Sequence, residues 1–218
     1  MKDKIIIIGG GSLLNVCVEI IKLNKNHTHG YINDKKSTYQ NIFKVKYLGN
    51  INTLTKNHFL KYKFVLAIGD NFRRMETYKY LLNKFKKINL INLIHPSVLI
   101  GQNVRIGKGN IICPNTNINL NTKIGNLCIF NSKNSIDHDN IIANFVSTGP
   151  GVTTGGHVII KESVFLGINA SVKNNIILDK NSILAGGSFL RKNTKKNSIY
   201  TGVPSKFLKK RKPGDKYL

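Results

Sequence analysis

The feature that most constrains this chain is a period of six residues. Stepping by six from Ile100 gives Ile106, Ile112, Ile118, Ile124, Phe130, Ile136, Ile142, Thr148, Thr154, Ile160, Leu166, Val172, Leu178, Leu184 and Leu190. Thirteen of these sixteen positions are aliphatic, none is charged, and Ile94 extends the series backward. A second uncharged column lies two residues earlier and includes Val98, Val104, Cys128, Val146, Val152, Val158, Val164, Ala170 and Ile176. A helix repeats every 3.6 residues and a strand every 2, so a period of six fits neither. It fits a short strand and a corner, repeated. Three such flats close one triangular coil, and stacked coils bury both columns. One residue after the aliphatic comes Gly101, Gly107, Gly125, Gly149, Gly155 or Gly167, or often Asn or Asp. These types tolerate positive φ, which predicts the sharp corner at that position. An ordinary sandwich of short strands would not hold phase from Ile100 to Leu190.

The first ninety residues read differently. Lys4–Ile8 predicts a buried strand that runs into Gly9-Gly10-Gly11-Ser12, and Leu13–Leu23 follows with helical spacing. Leu13, Val16, Ile20 and Leu23 would form its apolar face. Strand, glycine turn and helix open a Rossmann-like α/β unit, in which backbone N–H groups and a helix N-terminus approach a phosphate. A second strand is expected at His29–Ile32 and ends at Asp34, placed to meet a ribose hydroxyl. A third, Phe64–Ile68, ends at Gly69-Asp70-Asn71, and a helix carrying Arg73 and Arg74 follows. All three strands thus end in small or polar residues on the edge where open α/β sheets bind ligands. The chain divides into an α/β domain over 1–93, hexapeptide coils over 94–204 and a basic C-terminal tail over 205–218.

The formal net charge is +24, with only ten acids in 218 residues. Such a field favours anionic partners. Between Pro96 and Leu190 only four acids occur, and two of them, Asp137 and Asp139, flank His138. A carboxylate beside an imidazole fixes its tautomer and stabilises the imidazolium, which improves a general base. A solvated polar corner is the other reading of the same residues. His27, His29, His58, His95 and His157 read as surface or structural.

Cys17, Cys113 and Cys128 form neither a disulfide framework nor a zinc motif. The four-residue apolar run before Gly9 is too short for a secretory signal or a membrane span, which places the protein in the cytoplasm. The run Lys206-Phe-Leu-Lys-Lys-Arg-Lys212 reads as a phosphate clamp, a solvated tail or a contact with anionic lipid at a membrane surface. No aromatic interleaving points it toward nucleic acid.

Taken together, Ile7-Ile-Gly9-Gly10-Gly11-Ser12, Gly30-Tyr-Ile-Asn-Asp34, Ala67-Ile-Gly69-Asp70-Asn71 with Arg73, Leu93-Ile-His95-Pro96-Ser97, Ile136-Asp-His138-Asp139, Phe165-Leu-Gly167-Ile-Asn169-Ala170 and Thr201-Gly-Val-Pro-Ser-Lys206 stand in a distinctive order. In this the chain resembles the bacterial sugar O-/N-acyltransferases of the sialic acid O-acetyltransferase (NeuD/PglD-like) family, over nearly its whole length. The resemblance implies a left-handed parallel β-helix, a homotrimer, and acetyl-CoA in a groove between coils, with no metal. It implies that His138 is the general base and Asp139 its orienting acid. Gly155, Gly167, Asn169 and Gly186 match positions along the pantetheine arm. The N-terminal domain would hold a nucleotide-linked sugar through Gly9, Gly10, Gly11, Ser12, Asp34, Asp70, Asn71 and Arg73. The implied activity is N-acetylation of a nucleotide-linked amino sugar for surface glycan, lipopolysaccharide or capsule synthesis. O-acetylation of sialic acid or a related sugar is the alternative, and a non-catalytic trimeric binding or scaffold protein a third. The sequence departs from the pattern at Ser147, where many relatives carry a second histidine. Leu13 stands where a histidine usually follows the glycine turn, and Ala143 and Lys161 occupy corners where glycine is common.

Overall fold

A computed structural model describes residues 3–37 and 42–217. The N-terminal part contains β1 (Lys4–Ile8), α1 (Leu13–Leu23), β2 (His27–Ile32), a 3-10 turn (Ile51–Thr53), α2 (Lys56–Lys61), β3 (Lys63–Leu66) and α3 (Asn71–Phe85). Its three strands are parallel in the order β2-β1-β3. The central strand is Ile at four successive positions because both its faces are covered. Ile5 and Ile7 pack with α1, and Ile6 and Ile8 with the side that holds Leu81 of α3.

From Leu93 onward the chain is a left-handed parallel β-helix. Seventeen two-residue strands, β4 (Leu93–Ile94) to β20 (Phe189–Leu190), fall into three parallel sheets, every third strand sharing a sheet. Face 1 begins with Leu93–Ile94, face 2 with Leu99–Ile100 and face 3 with Arg105–Ile106. Each strand pairs with the one eighteen residues on, as Leu93 with Ile111 and Ser135 with Thr153. The aliphatic column forms the core, fully buried from Ile112 through Phe130, Ile136 and Ile160 to Leu190. Asn and Thr of the second column are buried without penalty because they bond carbonyls of the next coil. Asn110 Nδ2 donates to Gly125 O (2.9 Å) and Thr122 Oγ1 to Asp137 O (2.9 Å).

Three expectations need correction. Positive φ falls three residues after the aliphatic, at Asn103, Asn115, Asn121, Asp139, His157 and Asn169 among others, rather than one residue after it. Glycine follows the aliphatic for a different reason: a Cβ on Gly101 would lie 2.6 Å from Leu120 N of the next coil. In α1 the buried residues are Leu14, Cys17, Val18, Ile20 and Ile21, while Leu23 is half exposed. The helix is wedged between its own sheet and the β-helix, so it buries a wider arc than one face. Residues 205–217 are not a detached tail. The chain forms a hairpin, β21 (Ser198–Gly202) and β22 (Ser205–Lys210), on the end of face 1. Beyond it Tyr217 stacks on Phe165 at 4.2 Å.

The α/β domain docks on face 1 and on the corner between faces 3 and 1. Leu93, Ile111 and Ile129 pack with α1, and Leu127 and Phe145 enter the second cluster. Arg74 locks this junction. It is fully buried, and its guanidinium donates to Ile68 O (2.6 Å), Gly69 O (3.0 Å), Leu127 O (2.9 Å), Phe145 O (3.3 Å), Asn71 Oδ1 (2.7 Å) and Ser147 Oγ (2.8 Å). Burial lowers its pKa to about 10, which still leaves it charged at neutral pH. The three cysteines are buried and free, and burial pushes Cys113 up to about 11 and Cys128 to about 12. Arg74→Ala is expected to remove about 3 kcal/mol or more of stability, because several buried carbonyls lose their donor together. Denaturant unfolding measures this, and a loss below about 1 kcal/mol would contradict the locking role.

Candidate active site

Two regions carry chemistry, one on each domain. The first is a cleft of about 250 Å³ at the carboxyl ends of all three N-terminal strands. Gly9, Gly10 and Gly11 form its floor, Asn33 and Asp34 one side, and Ala67, Gly69, Asp70 and Arg73 the other. Gly9 must be glycine: its φ is +126° and a Cβ would sit 2.3 Å from Ala67 O. Nothing lies within 4 Å of the Cβ position of Gly11, so the turn is open toward the cleft. No side chain caps α1 and no acid occupies its first turn, but Leu14 N donates to Gly11 O (2.9 Å) and Asn15 N to Ser12 O (3.2 Å), so what the helix offers an anion is the positive end of its dipole beside the glycine turn. Asp70 Oδ1 caps α3 by accepting from Arg73 N (2.8 Å), and Arg73 is exposed at the rim.

Two predicted residues fall outside this cleft. Ser12 lines an adjoining cavity of about 390 Å³ between the domains, together with Asn131, Ser147 and Tyr217. Asn71 is buried and committed to structure. Its Nδ2 donates to Val164 O (3.0 Å), and its backbone N–H donates to Tyr217 Oη (2.7 Å). Ser147, the departure from the acyltransferase pattern, is buried and accepts from Arg74.

The second region is the corner between faces 2 and 3. The eighteen-residue coil stacks Asn119, Asp137 and Gly155 in one column. It stacks Leu120, His138 and Gly156 in the next, and Asn121, Asp139 and His157 in the third. Adjacent side chains on a strand point apart, but Asp139 adopts φ +57° and turns the chain so that the two side chains meet. His138 Nδ1 lies 2.7 Å from Asp139 Oδ2. A carboxylate only accepts, so Nδ1 carries the proton and Nε2 the lone pair. Asp137 Oδ1 accepts from His138 N (2.8 Å) and fixes the backbone. The hydrogen bond from His138 and nearby charge hold Asp139 below the usual carboxylate range, and the bond to Asp139 holds His138 above the usual imidazole range.

Sequence reasoning missed two residues here. Gly156 lies over the imidazole, and a Cβ would meet His138 Cε1 at 2.6 Å, so its absence makes room for the ring. His157 stands edge-on to His138, with ring centroids 5.3 Å apart, and its Nε2 is 3.9 Å from Asp139 Oδ2. Its signal was the interval of eighteen residues from Asp139. His138, Asp139 and His157 also bring three potential metal-ligand atoms within 4.8 Å of one another, the one such trio among the described residues.

The residues matched to a pantetheine arm divide between corners. Gly155 is on the His138 corner, whereas Gly167, Asn169 and Gly186 are on the corner between faces 1 and 2. Asn169 and Gly186 are exposed there beside Ile168, which is 58% exposed, and this low ridge fits an extended, partly apolar chain. Gly167 is buried beneath, where a Cβ would lie 2.4 Å from Gly186 N.

Residues 4–81 match the family described as the PglD N-terminal domain. Over 94% of its length this chain superposes on 97% of PerB from Caulobacter crescentus, solved in complex with CoA and GDP-perosamine, with a TM-score of 0.87 and 25% identity. It is 27% identical over 126 residues to GDP-perosamine N-acetyltransferase of Escherichia coli O157:H7, covering 57% of this chain and 56% of that protein. It is also 25% identical over 155 residues to the mitochondrial gamma carbonic anhydrase 2 of Arabidopsis thaliana, covering 62% of this chain and 55% of that protein. The chain spans about half the length of the curated relatives it matches. Coil repeats thus accompany more than one chemistry, and the α/β domain and the His–Asp corner narrow the choice.

If Nε2 of His138 is the base, activity requires neutral imidazole. The pKa of His138 is raised, so the acid limb of the pH–rate profile lies above the ordinary histidine value. Asp139→Asn removes the main cause, and the limb is expected to move to lower pH while plateau turnover falls by roughly tenfold or more. An unmoved limb would show that Asp139 does not tune this histidine.

Proposed function

We propose that this protein is an acetyl-CoA-dependent N-acetyltransferase acting on a nucleotide-linked amino sugar. The observation that carries the reading is the half-exposed His138 with Nδ1 held by Asp139 and Nε2 open, on a chain that also has an open glycine cleft. The nucleotide occupies the cleft, with phosphates on the glycine turn and the N-terminus of α1 and Arg73 at the rim. Asp34 takes the ribose. The sugar extends into the adjoining cavity beside Ser12 and Ser147. Acetyl-CoA supplies an activated thioester, and the ridge of Asn169 and Gly186 would hold its pantetheine arm. As the sugar amine attacks the thioester carbon, His138 Nε2 takes its proton and Asp139 stabilises the imidazolium; collapse of the tetrahedral intermediate breaks the C–S bond, and the imidazolium protonates the departing thiolate. Coil-corner N–H groups would serve the tetrahedral oxyanion. The positive charge steers two polyanionic substrates to the surface. Surface glycan synthesis in the cytoplasm is the setting that suits these substrates.

The same geometry favours a site shared between copies. The α/β domain covers face 1, and His138 projects from the corner opposite that face. A sugar held in the cleft of one copy therefore meets His138 of another. Leu120 and Ile141, 45% and 47% exposed on either side of His138, suit such a contact. The resemblance to the sugar acyltransferases implies that this association is a homotrimer, and we assign one.

The test is acetyl-CoA consumption and product mass with GDP-, UDP- and dTDP-linked 4-amino sugars, sialic acid and its CMP form. An N-acetylated nucleotide sugar is expected, and His138→Ala should cut turnover by about 10²–10⁴. Acetylation of a sialic acid hydroxyl instead would replace the acceptor assignment, and absence of turnover with every acceptor would favour a binding role. Mixing His138→Ala with Arg73→Ala subunits should restore part of the activity if the site is shared between copies.

A further inference from the structure

We infer that the C-terminal end of the β-helix carries a second anion site, built for a phosphate-bearing nucleotide and separate from the N-terminal cleft. Residues 191–217 contain ten Lys and Arg and a single acid, Asp215. Five of the cations, Lys195, Lys196, Lys210, Arg211 and Lys212, converge on one cleft of about 1010 Å³. Among the described residues none of the five is in an ion pair. Asp215 also lines the cleft, where its Oδ2 accepts from Lys212 N (2.6 Å), and its single charge offsets only one of the five.

Arg211 gives the site its built character. It is only 7% exposed, although an arginine is rarely buried without a carboxylate. Nη1 donates to Asn181 O (3.2 Å) and Asn181 Oδ1, and Nη2 to Asp215 O (2.8 Å). All these partners are neutral, and Nε has no partner among the described residues. A buried guanidinium with an idle N–H, ringed by four lysines, is an unmet demand for negative charge. Asn181 holds the head group in place, so the site is formed before a ligand arrives.

The cleft wall selects among anions. Tyr200 and Phe207 line it edge-to-face, with ring centroids 6.0 Å apart. Phe207 is half exposed on β22, between Lys206 and the equally exposed Leu208. A flat ring can pack on these side chains while its phosphates meet the cations. The cleft lies where the chain passes from face 3 to face 1, a different corner from both His138 and the Asn169–Gly186 ridge. The inference does not depend on the acyl-transfer reading.

The test is calorimetric titration of the full chain with ADP and with pyrophosphate. Four proteins are compared: unmodified, Lys196→Ala/Lys212→Ala at the cap, Arg73→Ala at the N-terminal cleft, and Lys108→Ala/Lys123→Ala as a charge control elsewhere on the coils. These are all exposed positions, so folding is spared. The cap pair is expected to weaken one class of ADP site by at least tenfold, and that class should persist in Arg73→Ala and in the control. Unchanged binding in the cap pair would overturn the site, as would an equal loss in the control pair, which would make the effect bulk charge. ADP binding more tightly than pyrophosphate supports the nucleotide assignment, and equal affinity overturns it. Loss of only the Arg73-dependent class would bear on the N-terminal cleft and leave the cap standing.

Discussion

Every feature of this protein depends on the stacking of residue i on residue i+18. Parallel ladders hold each coil to the next at that interval, as Asn117 N to Asn134 O (2.8 Å) and Ser135 N to Val152 O (2.9 Å) show. A two-residue strand has almost no stability alone. Its ladder bonds and its one inward aliphatic become stabilising only with coils above and below. The same interval makes functional geometry periodic. It sets Leu120, His138 and Gly156 in one column, and Asp139 and His157 in another, so a site can be assembled from residues far apart in the chain without any long-range loop.

A stack of coils exposes apolar ends and faces, and the chain covers them with its own termini. The α/β domain takes face 1, and the β21–β22 hairpin extends the last coil. Arg74 welds the first of these contacts. Its partners are carbonyl dipoles and side-chain oxygens from both domains rather than a carboxylate, so its charge is spread over neutral acceptors. Two of those carbonyls, of Ile68 and Gly69, belong to the wall of the glycine cleft, and two others, of Leu127 and Phe145, to left-handed corners of the coils. The orientation of the cleft against the β-helix thus rests on one buried side chain. Ser147 completes that bonding, which gives it a structural role.

The two chemical regions use different physics. The glycine cleft works through backbone: open N–H groups, a helix terminus and close approach. The His–Asp corner works through side chains held by a left-handed turn. Asp139 reaches the imidazole of its own neighbour only because the backbone reverses there, and Asp137 secures the reversal from the other side. The two regions lie on different corners of the prism.

The period of six determined the coils from sequence alone, because burial of every sixth residue leaves no other regular structure. The strand, glycine turn and helix of the first domain were legible for the same reason, and so was His138, since acids are scarce around it. What tertiary structure decided lies in contacts between coils and between domains. Sequence placed left-handed corners at the glycines, whereas the glycines answer to the next coil and Asn, Asp and His occupy the corners. Asn71 resembles a ligand residue in its motif but is consumed by Val164, Tyr217 and Arg74. His157 looked incidental until stacking set it against Asp139. The C-terminal lysines read as a loose tail, yet a hairpin gathers them around a buried arginine. Periodicity is a local property that one strand of text carries. Which side chain meets which across eighteen residues or across a domain junction is set by packing, and only the folded chain holds it.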